Sequence, residues 1–159
     1  AREIERRLAV LASGPGPAVA CEMAVGDLVS MACAATLDED ILLLGRRPVA
    51  RRGGDVLFLG GPGPADAPGR ALAGLLARLF SARLIEGPLD VLRDEEGLSR
   101  LLTQGRASVI VVDAGVGSDI DAADLRRLFA AARSPVAVIG ASRIGAAVST
   151  AMEGEADGI

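Results

Sequence analysis

Two spacings of apolar residues alternate along this chain. The runs Ile41 to Leu44, Val56 to Leu59, Ala107 to Val112 and Val136 to Ile139 are continuous in apolar or small residues. Such runs, rich in branched side chains, suit strands buried on both faces. Between them the apolar positions fall three and four apart, the mark of helices that bury one side.

Taken in order, the pattern predicts a helix over Arg2 to Leu11, with Ile4, Leu8 and Leu11 on one face. Ser13-Gly-Pro-Gly-Pro17 stops it, and a strand follows at Ala18 to Val25. Asp27 is placed to cap a helix over Leu28 to Leu37. Asp38-Glu39-Asp40 makes a solvated turn before the strand Ile41 to Leu44, and Arg46 to Gly54 reads as an exposed loop. Val56 to Leu59 restarts the sheet. The loop Gly60 to Gly69 leads into a helix whose Leu72, Leu75, Leu76, Leu79 and Phe80 keep the three-four spacing. Arg83 to Glu86 predicts a strand, broken by Gly87-Pro88 and continued in extended form by Leu89 to Leu92. Asp94 opens a helix with Glu95 and Glu96 in its first turn, where the helix dipole favours acids, and Gly105 ends it. The helix Asp119 to Arg133 turns Ile120, Leu125, Leu128, Phe129 and Ala132 inward. Pro135 enters the last strand, a helical turn or two follows Gly140, and Gly154 to Ile159 reads as a tail. Strands alternating with helices imply an α/β fold: an open parallel sheet with helices on both faces, Rossmann-like.

Composition narrows the chemistry. The chain has 159 residues, half of them apolar, with only three aromatic residues, all Phe, so the core is aliphatic. There is no His and every cation is Arg, which removes the commonest general base, the phosphate-loop lysine and Schiff-base chemistry. A formal charge of −4 argues against a nucleic-acid partner. Cys21 and Cys33 are too few for a disulfide framework and fall in apolar stretches. No run approaches the length of a membrane span.

The order helix, strand, Gly26-Asp27, helix, acidic turn and Ile41-Leu-Leu-Leu-Gly45-Arg46 resembles the second half of a universal stress protein (UspA-like) domain. From Asp55 the chain resembles a second, compressed copy, closed by Ser134-Pro135-Val-Ala-Val-Ile139. The resemblance implies three segments. Residues 1–50 form the second half of a first unit, 51–145 a compressed second unit packed into the same domain, and 146–159 a tail. Asp40 to Gly45 and Ser108 to Asp113 echo each other across the two units. The family places its first and fourth strands side by side, here Val56 to Leu59 and Ser108 to Asp113. It dimerises through its last strand, here Val136 to Ile139, taken as an edge.

In that family the first strand ends in an Asp that holds adenosine. The fourth is followed by Gly, two residues, Gly, nine residues and Gly-Ser or Gly-Thr. Here the first strand ends in Gly60-Gly61, and the fourth runs into Asp113-Ala-Gly115-Val-Gly117-Ser118 without the second glycine cluster. The crevice between the strand ends is where ligands of open α/β sheets bind. Gly60, Gly61, Gly63, Asp113, Gly115, Gly117 and Ser118 are therefore the candidate nucleotide or anion residues, Ser118 and the helix start offering a seat for phosphate. Against phosphate, Pro62, Pro64 and Pro68 remove N–H donors, and Asp113, Asp119 and Asp121 add negative charge. A nucleotide there needs a metal or an arginine to offset them.

For catalysis, Asp113 has Gly115 where an aspartate-dependent phosphatase carries its second Asp, and Ser118 has no His or Lys to activate it. The expectation is a non-catalytic, cytoplasmic regulatory protein with no obligate cofactor, its ATP motif degenerate, acting as a homodimer or through a transporter or signalling partner. It neither binds nucleic acid nor inserts into a membrane. The alternatives are an ATP- or AMP-binding sensor and the cytosolic regulatory domain of a membrane transporter.

Overall fold

The computed structural model describes residues 26–37, 41–45, 53–61, 67–104, 106–115 and 117–144. The helix expected over Arg2 to Leu11, the strand Ala18 to Val25 with Cys21, most of the loop Arg46 to Gly54, Gly63 and the C-terminal tail lie outside the described residues.

Five strands form one sheet: β1 (Ile41–Leu44), β2 (Asp55–Leu59), β3 (Leu84–Gly87), β4 (Ala107–Asp113) and β5 (Val136–Ile139), in the order β1-β5-β4-β2-β3. β2 is parallel to β3 and to β4, with Val56 level with Leu84 and Val109, and β4 is parallel to β5. The α/β reading holds. One strand departs from it: β1 runs antiparallel to β5, pairing Ile41 with Ile139 and Leu44 with Val136. Two expectations change with it. β5 is enclosed between β1 and β4, so it is not an edge strand, and the edges among the described residues are β1 and β3. The echoing runs around β1 and β4 also stand in unlike places, one at the rim and one at the centre.

Side chains alternate across the sheet, as the pleat requires. On one face Leu57, Leu59, Ile110, Val112, Val136 and Val138 meet Val29 and Cys33 of α1 (Leu28–Ala34), Leu98 of α3 (Glu95–Gln104) and Leu125 and Leu128 of α4 (Ala122–Ala131). On the other face Val56, Phe58, Val111 and Ala137 meet Ala73 and Ala77 of α2 (Pro68–Leu79). Each fully buried Leu, Ile or Val contributes about 1.5–3 kcal/mol. An exposed ion pair such as Arg83 with Asp55 adds little beside that. The aliphatic layers hold the frame on which the strand ends are carried.

Local signals explain most boundaries. Asp27 caps α1, its carboxylate accepting the Ser30 N–H at 2.9 Å. Hydrogen bonds from Ser30 and the Arg126 guanidinium pull its pKa down to about 2. α1 stops at Ala34, short of the expected Leu37, which is exposed. α2 turns a different stripe to the sheet than its leucines suggest. It lies close through the small Ala73 and Ala77, and that approach leaves Leu75, Leu79 and Phe80 pointing outward and exposed. Leu89 to Leu92 is not extended: Leu89–Arg93 is a 3₁₀ helix. Three residues per turn stack Leu89 and Leu92 on one side, and both are buried.

Candidate functional site

β2 and β4 are central parallel neighbours, and their exits, at Leu59 and Asp113, leave the same end of the sheet. Between them opens a crevice of about 670 Å³. The β2 exit supplies Gly60 and Gly61, and the β4 exit supplies Asp113, Gly115, Gly117, Ser118 and Asp119. The start of α2 adds Ala67, Pro68 and Arg70, and the 3₁₀ segment adds Pro88, Leu89 and Asp90, with Phe58 beneath. Six of the seven residues expected from sequence thus line one cavity; the seventh, Gly63, lies outside the described residues.

Their chemistry is largely turned inward. The Asp113 carboxylate bridges two main-chain donors: Oδ2 accepts the Gly69 N–H at 3.1 Å and Oδ1 accepts the Gly115 N–H at 2.9 Å. Gly69 is in the first turn of α2, so Asp113 sits where that helix would hold an anion. Close packing fixes the residue types around it. A Cβ on Gly69 would lie 2.6 Å from the Asp113 Cβ, and one on Gly115 would lie 2.8 Å from Asp113 Oδ1. The Phe58 ring fills the space a Cβ on Gly60 would need, at 2.3 Å. Gly60 and Gly115 are therefore small for the sake of the protein's own side chains. Gly61 and Gly117 face open space, and only Gly117, at φ +83°, has a backbone that favours glycine. Ser118 accepts a long hydrogen bond from the Ile120 N–H at 3.4 Å.

The acidic residues beyond Ser118 are organised as a brace. Asp121 caps α4 by accepting the Asp124 N–H at 2.8 Å, and Asp124 returns the contact by accepting the Asp121 N–H at 3.2 Å, a capping box. Asp124 is fully buried and is bonded by Arg93 at 3.3 Å and by Arg127. Arg93 also binds Asp119 at 2.7 Å, and this guanidinium holds the Asp119 carboxyl below its ordinary range. The expected cluster of negative charge is thus offset by arginine. Asp124 belongs to the interior of the fold, contrary to its reading as part of a solvated helix start. Among the described residues no cluster of His, Cys, Asp and Glu has the arrangement of a metal site.

Sequence reasoning missed Arg70 and Phe58. Arg70 lines the crevice with its guanidinium 5.6 Å from the centre of the Phe58 ring, and its Nη2 binds Glu86 of β3 at 3.0 Å. A signal was present: a cation in a first helical turn runs against the dipole, and Arg70 directly follows Gly69. This is the arginine that a ligand anion in this crevice would need.

Among the described residues no helix is long and apolar enough to cross a membrane. Comparison with family models, with curated proteins and with solved structures returns no match to this chain.

Proposed function

We propose that this chain is a non-catalytic regulatory module of UspA-like type, in which Asp113 takes the seat of a nucleotide phosphate. It acts by self-association or through a protein partner, in a cytoplasmic stress or signalling response. One observation carries the reading: both oxygens of Asp113 already accept the N–H groups that an anion at the start of α2 and in the β4 turn would use. A phosphate brought there would have to displace a carboxylate held by the main chain and then share the space with it. The order of strands and helices and the Ser134-Pro135-Val ending support the family side of the reading, and the absence of His and Lys supports the non-catalytic side. Isothermal titration with Mg-ATP and with AMP tests it. The expected result is no heat of binding at up to hundred-micromolar protein, and a micromolar Kd overturns it.

A second reading, an adenine-nucleotide sensor, is favoured by a different observation. The crevice is large enough for a small ligand, and Arg70 stands in its wall beside an aromatic ring. It expects binding that Arg70→Ala removes and that Gly117→Asp also removes while the circular dichroism spectrum stays unchanged.

A further inference from the structure

We infer that β1 is the surface through which two copies of this chain associate, edge to edge and antiparallel, about a twofold axis at Leu43. The inference rests on the reading of the chain as an associating module and supplies the surface that reading lacks, since β5 is enclosed.

The two edges of the sheet are treated differently. β3 carries Glu86, which is exposed and paired to Arg70, and runs directly into Pro88. Charge and proline are the ordinary ways in which an edge strand is kept from pairing with another chain. β1 is Ile-Leu-Leu-Leu, with neither. Its Leu44 enters the core and Leu42 packs beside it, while Ile41 and Leu43 stand on the face shared with Ala137 and are 48% and 70% exposed. An unguarded aliphatic edge with a wet leucine at its centre is the pattern of an edge that pairs.

Charge along the sequence selects the occupant and the register. Asp38-Glu39-Asp40 precede β1 and Arg46-Arg47 follow it; these five lie outside the described residues and enter only as sequence. A parallel neighbour of the same kind would set acid beside acid, which is unfavourable, whereas an antiparallel second copy sets acid beside arginine. A twofold axis normal to the sheet keeps equivalent faces together, so the two chains can be centred on Leu42 or on Leu43. Centred on Leu43, Asp40 falls level with the partner's Arg46 and Glu39 with the partner's Arg47. Centred on Leu42, Asp40 falls level with the partner's Leu44 and Glu39 with the partner's Gly45. The Leu43 register pairs the charges and brings the most exposed leucine of the strand onto its own copy.

Sedimentation velocity on the whole chain, from micromolar to several hundred micromolar, tests association. Leu43→Glu tests the surface, with circular dichroism confirming the fold. The expected result is a dimer whose dissociation constant Leu43→Glu raises at least ~10-fold. Register is read by oxidising Leu43→Cys and Ile41→Cys separately in a Cys21→Ser background: thiols at position 43 meet and cross-link, and those at 41 do not. A dimer that Leu43→Glu leaves intact, or cross-linking at 41 as fast as at 43, overturns the β1 interface while association stands. A monomer throughout overturns both the interface and self-association, and leaves the chain's own residues ahead of α1 as the cover of this edge.

Discussion

Asp113 and Asp124 lie at the same end of the sheet and look alike in sequence, each an acid near the start of a helix. Their surroundings differ in kind. Asp113 is half-buried at the wall of the crevice and is bonded by two main-chain N–H groups. Asp124 is fully buried, closes the cap of its own helix and is bonded by two guanidinium groups. The first carboxylate occupies donors that could otherwise serve a ligand. The second ties three elements together, because Arg93 reaches it from the 3₁₀ segment while Arg127 and Asp121 belong to α4 and its cap. One acid closes a site, and the other holds a frame.

The largest expected effect follows from the second. Asp124→Ala removes the inner half of the capping box and strands Arg93 and Arg127. Because both arginines are about half exposed they recover water, so the loss falls short of that for a wholly buried pair. Urea unfolding should show a stability lower by roughly 2–4 kcal/mol. Asp113→Ala orphans two N–H groups beside an open cavity and should cost about 1–2 kcal/mol. Its more telling effect is a gain. With the carboxylate gone, the start of α2 is open to anions, and inorganic phosphate should raise the melting temperature of the variant while leaving the wild type unmoved. If the two losses come in the reverse order, or if phosphate stabilises both proteins equally, the contrast between frame and site fails.

The difference between these acids was only partly legible in the chain. The continuous apolar runs gave the strands, and Asp27 gave the start of α1, because those signals are local. Six candidate crevice residues were found because strand ends and glycine turns are local too, and the parallel pairing of β2 with β4 gathers them. What sequence missed depends on partners distant along the chain. Arg93 finds Asp124, and Arg70 finds Phe58 and Glu86, through packing that no spacing rule encodes. The direction of β1 was missed for a related reason: four aliphatic residues in a row fit a parallel or an antiparallel neighbour equally well. The outward turn of Leu75, Leu79 and Phe80 was hidden because periodicity finds an apolar arc but not which part of it touches the sheet. Here the small Ala73 and Ala77 decide that.

The smallest effect tests whether the brace belongs to the interior alone. Asp119 shares Arg93 with Asp124 but is exposed, and water and salt screen its pairing. Arg93 holds its carboxyl below the ordinary range in the folded state, so the unfolded chain takes up its proton first on acidification. The contribution of Asp119 is therefore complete above about pH 5 and is lost as pH falls through about 4 and below. Asp119→Asn should unfold in urea close to the wild type at pH 7, and the remaining gap should close below about pH 4 and in molar salt. A gap at pH 7 as wide as that of Asp124→Ala would place the anchor of Arg93 at the rim of the crevice. Arg93 would then be part of the site's wall, and the separation of one acid for the site from one for the frame would have to be redrawn around this arginine.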